Sequence, residues 1–329
     1  MTSSDFTELR QLVTEAGLLE KSIRPTIVGF ITNVALLLLS ISVFFLTQHL
    51  GIILLNAAFL ALIYGRFGLL AHDLGHMQVF KSKKANNALG YICATIVGLS
   101  HSWWKAKHNA HHAHTNHHEE DPDIDLPILA YSEKQALEKK GAARFIVKHQ
   151  AWFFLPIQLL AAVSLRYSSW KYVLKPRKNT EFVLDLFLSS LHATIYLSLL
   201  FLTQEWWVAL LFILVHQHLW SLYITSIFAP NHKGMPIMEE GTAVDFMREQ
   251  ILTARNIKPG ILTDYYYGHL NYQIEHHLFP TMSRKNMRKA RKIVKQFCKE
   301  KNIDYHETSV IQSYVEIIQH MHEIGLCLR

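Results

Sequence analysis

The chain has 329 residues, 50% of them hydrophobic and only 18% charged. Soluble domains carry about 25% charge, so the deficit weighs against a soluble globule and points to a bilayer. The net charge of +7 fits an anionic membrane surface, and no basic-aromatic motif accompanies it that would make nucleic acid a partner.

The opening "MTSSDFTELRQLVTEAG" is polar and carries acids, which excludes a cleavable signal peptide. The first apolar run covers residues 27–47, and its 21 residues reach about 31 Å as a helix, enough to cross a bilayer core. After "QHL" a second run covers about 50–70. A third covers about 182–202 and a fourth about 206–228, separated by "TQE". Gaps this short make each pair an antiparallel helical hairpin. All 33 lysines and arginines lie outside the two hairpin tips. The positive-inside rule therefore places both termini and the long middle connection in the cytosol.

Two weaker apolar stretches, 88–104 and 151–163, are too short or too polar to span. Trp103, Trp104 and Trp152 suit the headgroup level, so both stretches are predicted to be interfacial or re-entrant. Residues 283–300 predict a basic amphipathic helix whose charged face lies near anionic lipid. Cys93, Cys298 and Cys327 form no C-x-x-C, which argues against a disulfide framework and for a reducing, cytosolic-facing environment. The predicted fold is an all-α integral membrane protein, one domain over 1–329. Four transmembrane helices form two hairpins, and a cytosolic helical cap (71–181 and 229–329) holds the chemistry.

That chemistry is written in histidine, of which the chain has 21. The second run continues as "RFGLLAHDLGH", which sets His72 and His76 at i and i+4 on one helical face. "HNAHHAHTNHH" (108–118) adds His108, His111 and His112 at i, i+3 and i+4. If that helix continues, His114 and His117 point away from this face, and "DPD" ends the helix near His118. "QIEHH" repeats the spacing with Gln273, His276 and His277. The predicted topology puts all three clusters on the cytosolic side. Neutral imidazole is a good ligand for iron, zinc or copper. Seven such residues exceed one tetrahedral zinc site and suit two metals. The count leaves room for an eighth, and His232 in "FAPNHKGMP" is placed to supply it, against a loop or substrate-contact role. Asp73, Asp121, Asp123 and Asp125 could accept the second N–H of ligand imidazoles, although "DPDID" also reads as a helix-ending turn. Glu275 could act beside the ligands or serve only the helix. His101 shares the face of His108 but is weighed as a bystander. His114, His117 and His118 are read as exposed or outside the ligand set, and His192, His216 and His218 as buried hydrogen-bonding groups in the spans.

"HDLGH", "HNAHH" and "QIEHH" together resemble the three histidine boxes of the integral-membrane fatty acid desaturases. The glutamine that opens the third box resembles the front-end acyl subgroup, and "FAPNHKGMP", "ILTARNI" and "NYQIEHHLFPTMSR" look like bacterial members of it. The resemblance implies a di-iron centre (Fe2+/Fe3+) at His72, His76, His108, His111, His112, His276 and His277. That centre would activate O2 and remove two hydrogens from a fatty acyl chain carried as acyl-CoA or acyl-lipid, and no catalytic residue beyond the metal ligands is implied. Gln273 matches the third-box glutamine, and whether it touches metal or a nearby water is open.

No H-P-G-G haem signature occurs, and about 26 residues before the first span are too few to fold around haem. Electrons are therefore expected from a separate donor, a ferredoxin or a haem cytochrome, with an acidic protein suited to the basic cap. A bacterial plasma membrane is the expected location, with membrane lipids as neighbours.

The chemistry agrees with the resemblance. An unactivated methylene offers neither an acidic proton nor an electrophilic carbon, so a redox metal must supply the reactivity while the protein orients the chain. A hydroxylase or carotenoid-modifying oxygenase on the same scaffold is the nearest alternative. A histidine-rich metal transporter is more remote, because transport sites lie near the midplane between spans. A zinc hydrolase lacks its H-E-x-x-H.

Overall fold

A computed structural model describes residues 4–176, 180–239 and 244–329. In chain order its helices begin with α1 (Ser4–Glu15), α2 (Ile23–Leu46), α3 (Leu50–Gly75), α4 (Lys83–Val97) and α5 (His101–Ala113). Next come α6 (Glu133–Glu138), α7 (Gly141–Lys148), α8 (Gln150–Gln158), α9 (Ala161–Val173), α10 (Thr180–Thr203) and α11 (Trp206–His232). The chain closes with α12 (Phe246–Leu252), α13 (Ile261–Tyr267), α14 (Gln273–Leu278), α15 (Arg284–Glu300) and α16 (Val310–Leu326). The only strands among the described residues are β1 (Asn256–Ile257) and β2 (Glu307–Thr308), a parallel pair with Asn256 opposite Glu307. The protein is an all-α membrane protein, with this two-residue pair as a small addition to the expected helices.

The chain forms two compact units. One holds residues 21–106 and 158–225. Among the described residues, four helices are long and apolar enough to cross a membrane: α2, α3, α11 and residues Glu181–Thr203 of α10. Only 17% and 11% of the most apolar windows of α2 and α10 are buried, against 50% and 44% for α3 and α11. The first two are therefore the lipid-facing helices and the second two the inner ones. Phe44, Ile53, Phe67, Phe212 and Trp220 form the centre of the core. Ser40 Oγ donates to Asn56 Oδ1 (2.8 Å) and Asn56 Nδ2 to the Ser40 carbonyl (3.0 Å), a buried pair that ties α2 to α3. Gly65 is where α3 meets a side chain of α11: a Cβ there would lie 1.9 Å from the Tyr223 ring, so only glycine allows this approach.

The weaker apolar stretches contribute α4, the start of α5, α8 and the start of α9. Trp152 is 81% exposed, as an interfacial residue should be, but Trp103 is only 6% exposed and belongs to the interior. Trp104, the next residue on α5, points to a different face and is partly exposed.

The other unit holds residues 1–20, 107–157 and 226–329. Its main core joins Phe6, Leu9 and Val13 of α1 to Met247 and Ile251 of α12, Ile274 and Leu278 of α14, and Met287, Val294 and Phe297 of α15. The basic helix expected over 283–300 is α15. It buries its apolar face in this core and leaves Lys285, Lys289 and Lys292 exposed.

Candidate metal centre

Three buried imidazoles of the second unit define the site. His111 stands on the last turn of α5, His232 is the last residue of α11, and His277 lies in α14. One ligand atom from each lies within 4.8 Å of the others. Their ring centroids are 4.7 Å (His111–His232), 5.2 Å (His111–His277) and 4.6 Å (His232–His277) apart.

In each ring Nδ1 faces an oxygen acceptor. His111 Nδ1 is 3.0 and 2.9 Å from the two oxygens of Asp121. His232 Nδ1 is 3.0 Å from the Thr253 carbonyl. His277 Nδ1 is 2.8 Å from Gln250 Oε1, with the Thr115 hydroxyl at 3.2 Å. A carboxylate or carbonyl oxygen can only accept, so the proton sits on Nδ1 and the Nε2 lone pair is left for a metal. His277 Nε2 is buried with no hydrogen-bond partner among the described residues. Burial, with the neighbouring imidazoles, holds His277 well below its ordinary pKa and keeps it the neutral ligand form. Burial works to raise Asp121, but the His111 hydrogen bond and charge, with the Lys233 charge and the Asn116 amide, hold it below the usual carboxylate value. An unmet buried ring nitrogen costs about 1–3 kcal/mol, and a metal ion bound among the three rings would satisfy the one on His277. The donor set therefore fits a divalent transition metal.

A second group adjoins this one. His112 Nε2 is 3.1 Å from both His108 Nε2 and His276 Nε2. Two nitrogens that share one ion at about 2.1 Å stand about 3.0–3.4 Å apart, so this spacing also fits neighbouring ligands. The His112 ring stacks on His277 with centroids 4.1 Å apart. Gln273 is 2% exposed; its amide nitrogen is 2.9 Å from His232 Nε2, and its carbonyl accepts from Asn231 Nδ2 at 2.9 Å. The third-box glutamine is thus beside Nε2 of the candidate ligand His232.

His72 and His76 belong to the other unit, at the end of α3, with ring centroids 4.7 Å apart. Both rings pack against Trp104, at 5.5 and 5.9 Å. Gly75 makes room for it, since a Cβ there would meet the indole at 2.2 Å. Asp73 Oδ1 lies 3.6 Å from His72 Nδ1.

Other candidates fall outside these groups. Asp123 pairs with Lys107, and its nearest oxygen is 3.7 Å from His111 Nδ1, so Asp121 is the carboxylate that orients this ring. Asp125 is exposed. His101 is buried against Tyr91, centroids 4.9 Å apart. His216 Nδ1 is 2.8 Å from the Tyr196 hydroxyl, and His218 Nδ1 faces the Leu214 carbonyl of its own helix. His192 Nε2 lies 3.5 Å from Arg166.

Several positioning residues escaped the sequence reading. Arg255 is fully buried and gathers the end of α11. Its Nε donates to the Pro230 carbonyl (2.9 Å), Nη2 to the Lys233 carbonyl and Nη1 to Glu316 (2.6 Å). Helix-terminal carbonyls lack internal partners, and here one guanidinium supplies them on both sides of His232. Asn256 holds α14 at both ends of one amide: Oδ1 accepts from Ile274 N (2.9 Å) and Nδ2 donates to Glu275 (2.8 Å). Tyr305 OH also donates to Glu275, at 2.8 Å. Burial pushes the Glu275 carboxyl up to about 7 against the lowering effect of these two bonds. The clue in the sequence was "ILTARNI", a polar string beside an apolar run.

Comparison with known proteins joins this geometry. A sequence model of the family "Fatty acid desaturase" matches residues 46–309. The chain is 31% identical to an acyl-lipid (9-3)-desaturase of Physcomitrium patens over 98% of its own length, but spans 62% of that relative. It is 32% identical to the Delta(6)-fatty-acid desaturase fat-3 of Caenorhabditis elegans, covering 96% of this chain and 74% of the relative. A Delta(8)-fatty-acid desaturase of Euglena gracilis is 31% identical, over 96% of this chain and 78% of its own. With buried imidazoles at the box positions and a family match across most of its length, the chain belongs to the fatty acid desaturase family.

Proposed function

We propose that this protein is a membrane acyl desaturase that uses two iron ions and O2 to introduce a C=C bond into a fatty acyl chain carried as acyl-CoA or acyl-lipid. Overall, –CH2–CH2– + O2 + 2 e⁻ + 2 H⁺ gives –CH=CH– + 2 H2O. The observation that carries the reading is the buried trio His111, His232 and His277, each with Nδ1 committed to an oxygen acceptor. Bound iron would supply the oxidising power that no side chain has.

The chain's own residues hold, orient and shield. Asp121, Thr253 and Gln250 fix the three rings, and the low-dielectric surroundings keep His277 neutral. One iron would take His111, His232 and His277. From the box pattern of the sequence, the other would take His108, His112 and His276 with His72 and His76. Gln273 is proposed to hold water or a ligand beside His232. The positive-inside distribution supports a cytosolic site, reached by electrons from a separate donor. The exposed lysines of α15 would favour an acidic one, a ferredoxin or a haem cytochrome.

The test is expression in a host that lacks the product, followed by methyl-ester analysis with double-bond location, together with elemental analysis of the purified protein. A new double bond and two irons per chain are expected. A hydroxylated product would assign the chain to oxygenation instead, and saturation at one metal in an iron-loaded preparation would end the dinuclear reading.

A further inference from the structure

Past the end of α5 the chain carries three more metal-ligating residues, His114, His117 and Glu120, which the buried centre does not use. One ligand atom from each lies within 4.8 Å of the others. Glu120 Oε2 is 2.9 Å from His114 Nδ1 and 3.8 Å from His117 Nδ1. His117 turns its other nitrogen, Nε2, toward Glu249 Oε1 at 3.3 Å. The side chains of His114 and Glu120 are 46% and 57% exposed and that of His117 is 23% exposed, so the outer side of the group is open to water.

This gathering is built by the backbone. The chain leaves the α-helix after Ala113 and runs through tight turns, with His117 N donating to the His114 carbonyl (3.0 Å) and Asp121 N to the His117 carbonyl (3.1 Å). Asn116 and Glu119 adopt left-handed φ values of 57° and 70°. Positions three apart lie on one side of such turns, as they do on a helix, so His114, His117 and Glu120 face the same way. The loop is also tied down from outside. Met238 N donates to the Asn116 carbonyl (2.9 Å), His118 N donates to the Met238 carbonyl (3.1 Å), and Asn116 Nδ2 donates to the Pro236 carbonyl (3.1 Å). The three ligand atoms are therefore held close by a pinned loop.

An exposed histidine–carboxylate contact contributes only about 0–1 kcal/mol. It explains one imidazole beside Glu120, not two sharing the same oxygen, nor a further carboxylate behind the second. A carboxylate facing the far nitrogen of a histidine is the arrangement that orients a metal-ligating ring. His117 and Glu249 reproduce at the surface what His111 and Asp121 show in the interior.

We propose that His114, His117 and Glu120 form a separate surface metal site that takes one borderline divalent ion of the zinc class. Two imidazoles and one carboxylate leave a fourth tetrahedral position for water, the composition of an open zinc site. Imidazole nitrogen disfavours magnesium and calcium, which take oxygen ligands. Because the site faces water and has no fourth protein ligand among the described residues, the ion exchanges with the medium.

The test uses the full chain purified in detergent, loaded with ferrous iron and freed of excess metal. Zinc binding is followed by equilibrium dialysis and elemental analysis, with cobalt as a visible-absorption probe of the same position. The wild type is expected to bind one zinc per chain more than His114→Ala. In Glu120→Gln the same step should weaken at least about tenfold. Iron content should be equal in all three, and millimolar magnesium should not compete. Both substituted side chains are exposed and Glu120→Gln is nearly isosteric, so equal iron content certifies the fold. Zinc stoichiometry and affinity unchanged in Glu120→Gln and His114→Ala would overturn the site, as would competition by magnesium.

Discussion

His111 and His114 are three residues apart, yet they serve two groups of opposite character. In the buried group, His111, His232 and His277 come from three helices, and each spends one nitrogen on an oxygen acceptor. In the surface group, His114, His117 and Glu120 come from one loop, and a single carboxylate faces both rings. Residue type is therefore a poor guide to role here. What separates the groups is burial, and whether three helices or one loop supply the rings. A buried imidazole whose Nδ1 is tied must present Nε2, while an exposed one can meet its needs with water. On the proposed readings, the interior group would bind tightly and the surface group would exchange its ion with the medium.

The largest effect should come from deleting an interior ring. His277→Ala removes a ligand and opens a cavity beside His112, so turnover should fall below detection and iron content should drop. Membrane insertion, read by detergent-extracted yield and gel filtration, should persist. Full activity in a variant of normal yield would show that the interior trio is not the metal site.

The next effect tests whether the tie matters as well as the ring. Asp121→Asn keeps the shape but turns a full charge into a neutral amide that can rotate its NH2 toward His111. Loss of an orienting partner at a metal site costs about 10–100-fold in metal affinity or activity. Iron binding and turnover should both fall within that range. Asp123→Asn should do much less, because its oxygen stands 3.7 Å from the ring. Equal effects from the two variants would mean that charge near the site matters, not the hydrogen bond.

A smaller effect is expected at Arg255, which grips the carbonyls on either side of His232 and pairs with Glu316. Arg255→Lys keeps the charge but loses the planar fork, so one ammonium cannot reach all three acceptors. Turnover should stay within about tenfold of wild type, since a positioning shift of about 1.4 kcal/mol gives that factor. The midpoint of thermal unfolding in detergent should also fall. A variant with normal iron content and lowered midpoint would assign Arg255 to stability alone.

The spans and boxes were legible because they are local patterns: apolar length, and histidines three and four apart. The end of α11 was less so. The apolar run stops near residue 228, but the helix continues through Pro230 to His232, carried by polar residues that composition alone reads as loop. His232 itself was reached by ligand counting and by its place after the fourth run. Gln250 and Tyr305 left no pattern, and Thr253 and Asn256 only the polar string in "ILTARNI", since each acts on a ring or helix 18 to 30 residues away in sequence. The β1–β2 pair has the same cause, two residues on each side and about fifty residues between them. His114 and His117 were set aside because helical phase turns them from the face of His108, His111 and His112, and Glu120 was not singled out; the pinned turns after Ala113 hold the three together.

The smallest effect is the sharpest test of the criterion that divides the two groups. His118 lies in the same histidine-rich stretch but in neither group; its Nδ1 is 3.4 Å from Glu119 Oε1, and its main-chain N–H, which a substitution keeps, binds the Met238 carbonyl. If histidine density attracted the metal, His118→Ala should lower iron content in proportion. If the tied ring decides, His118→Ala should leave iron content unchanged and turnover within about twofold, a shift of about 0.4 kcal/mol. The side chain is only 9% exposed, so stability should fall by about 0.5–3 kcal/mol, the ordinary range for a point substitution. Iron content and initial rate on this one variant, beside Asp121→Asn, separate the two explanations. Loss of iron in His118→Ala at normal yield would mean that the ring's second partner does not mark a ligand in this protein.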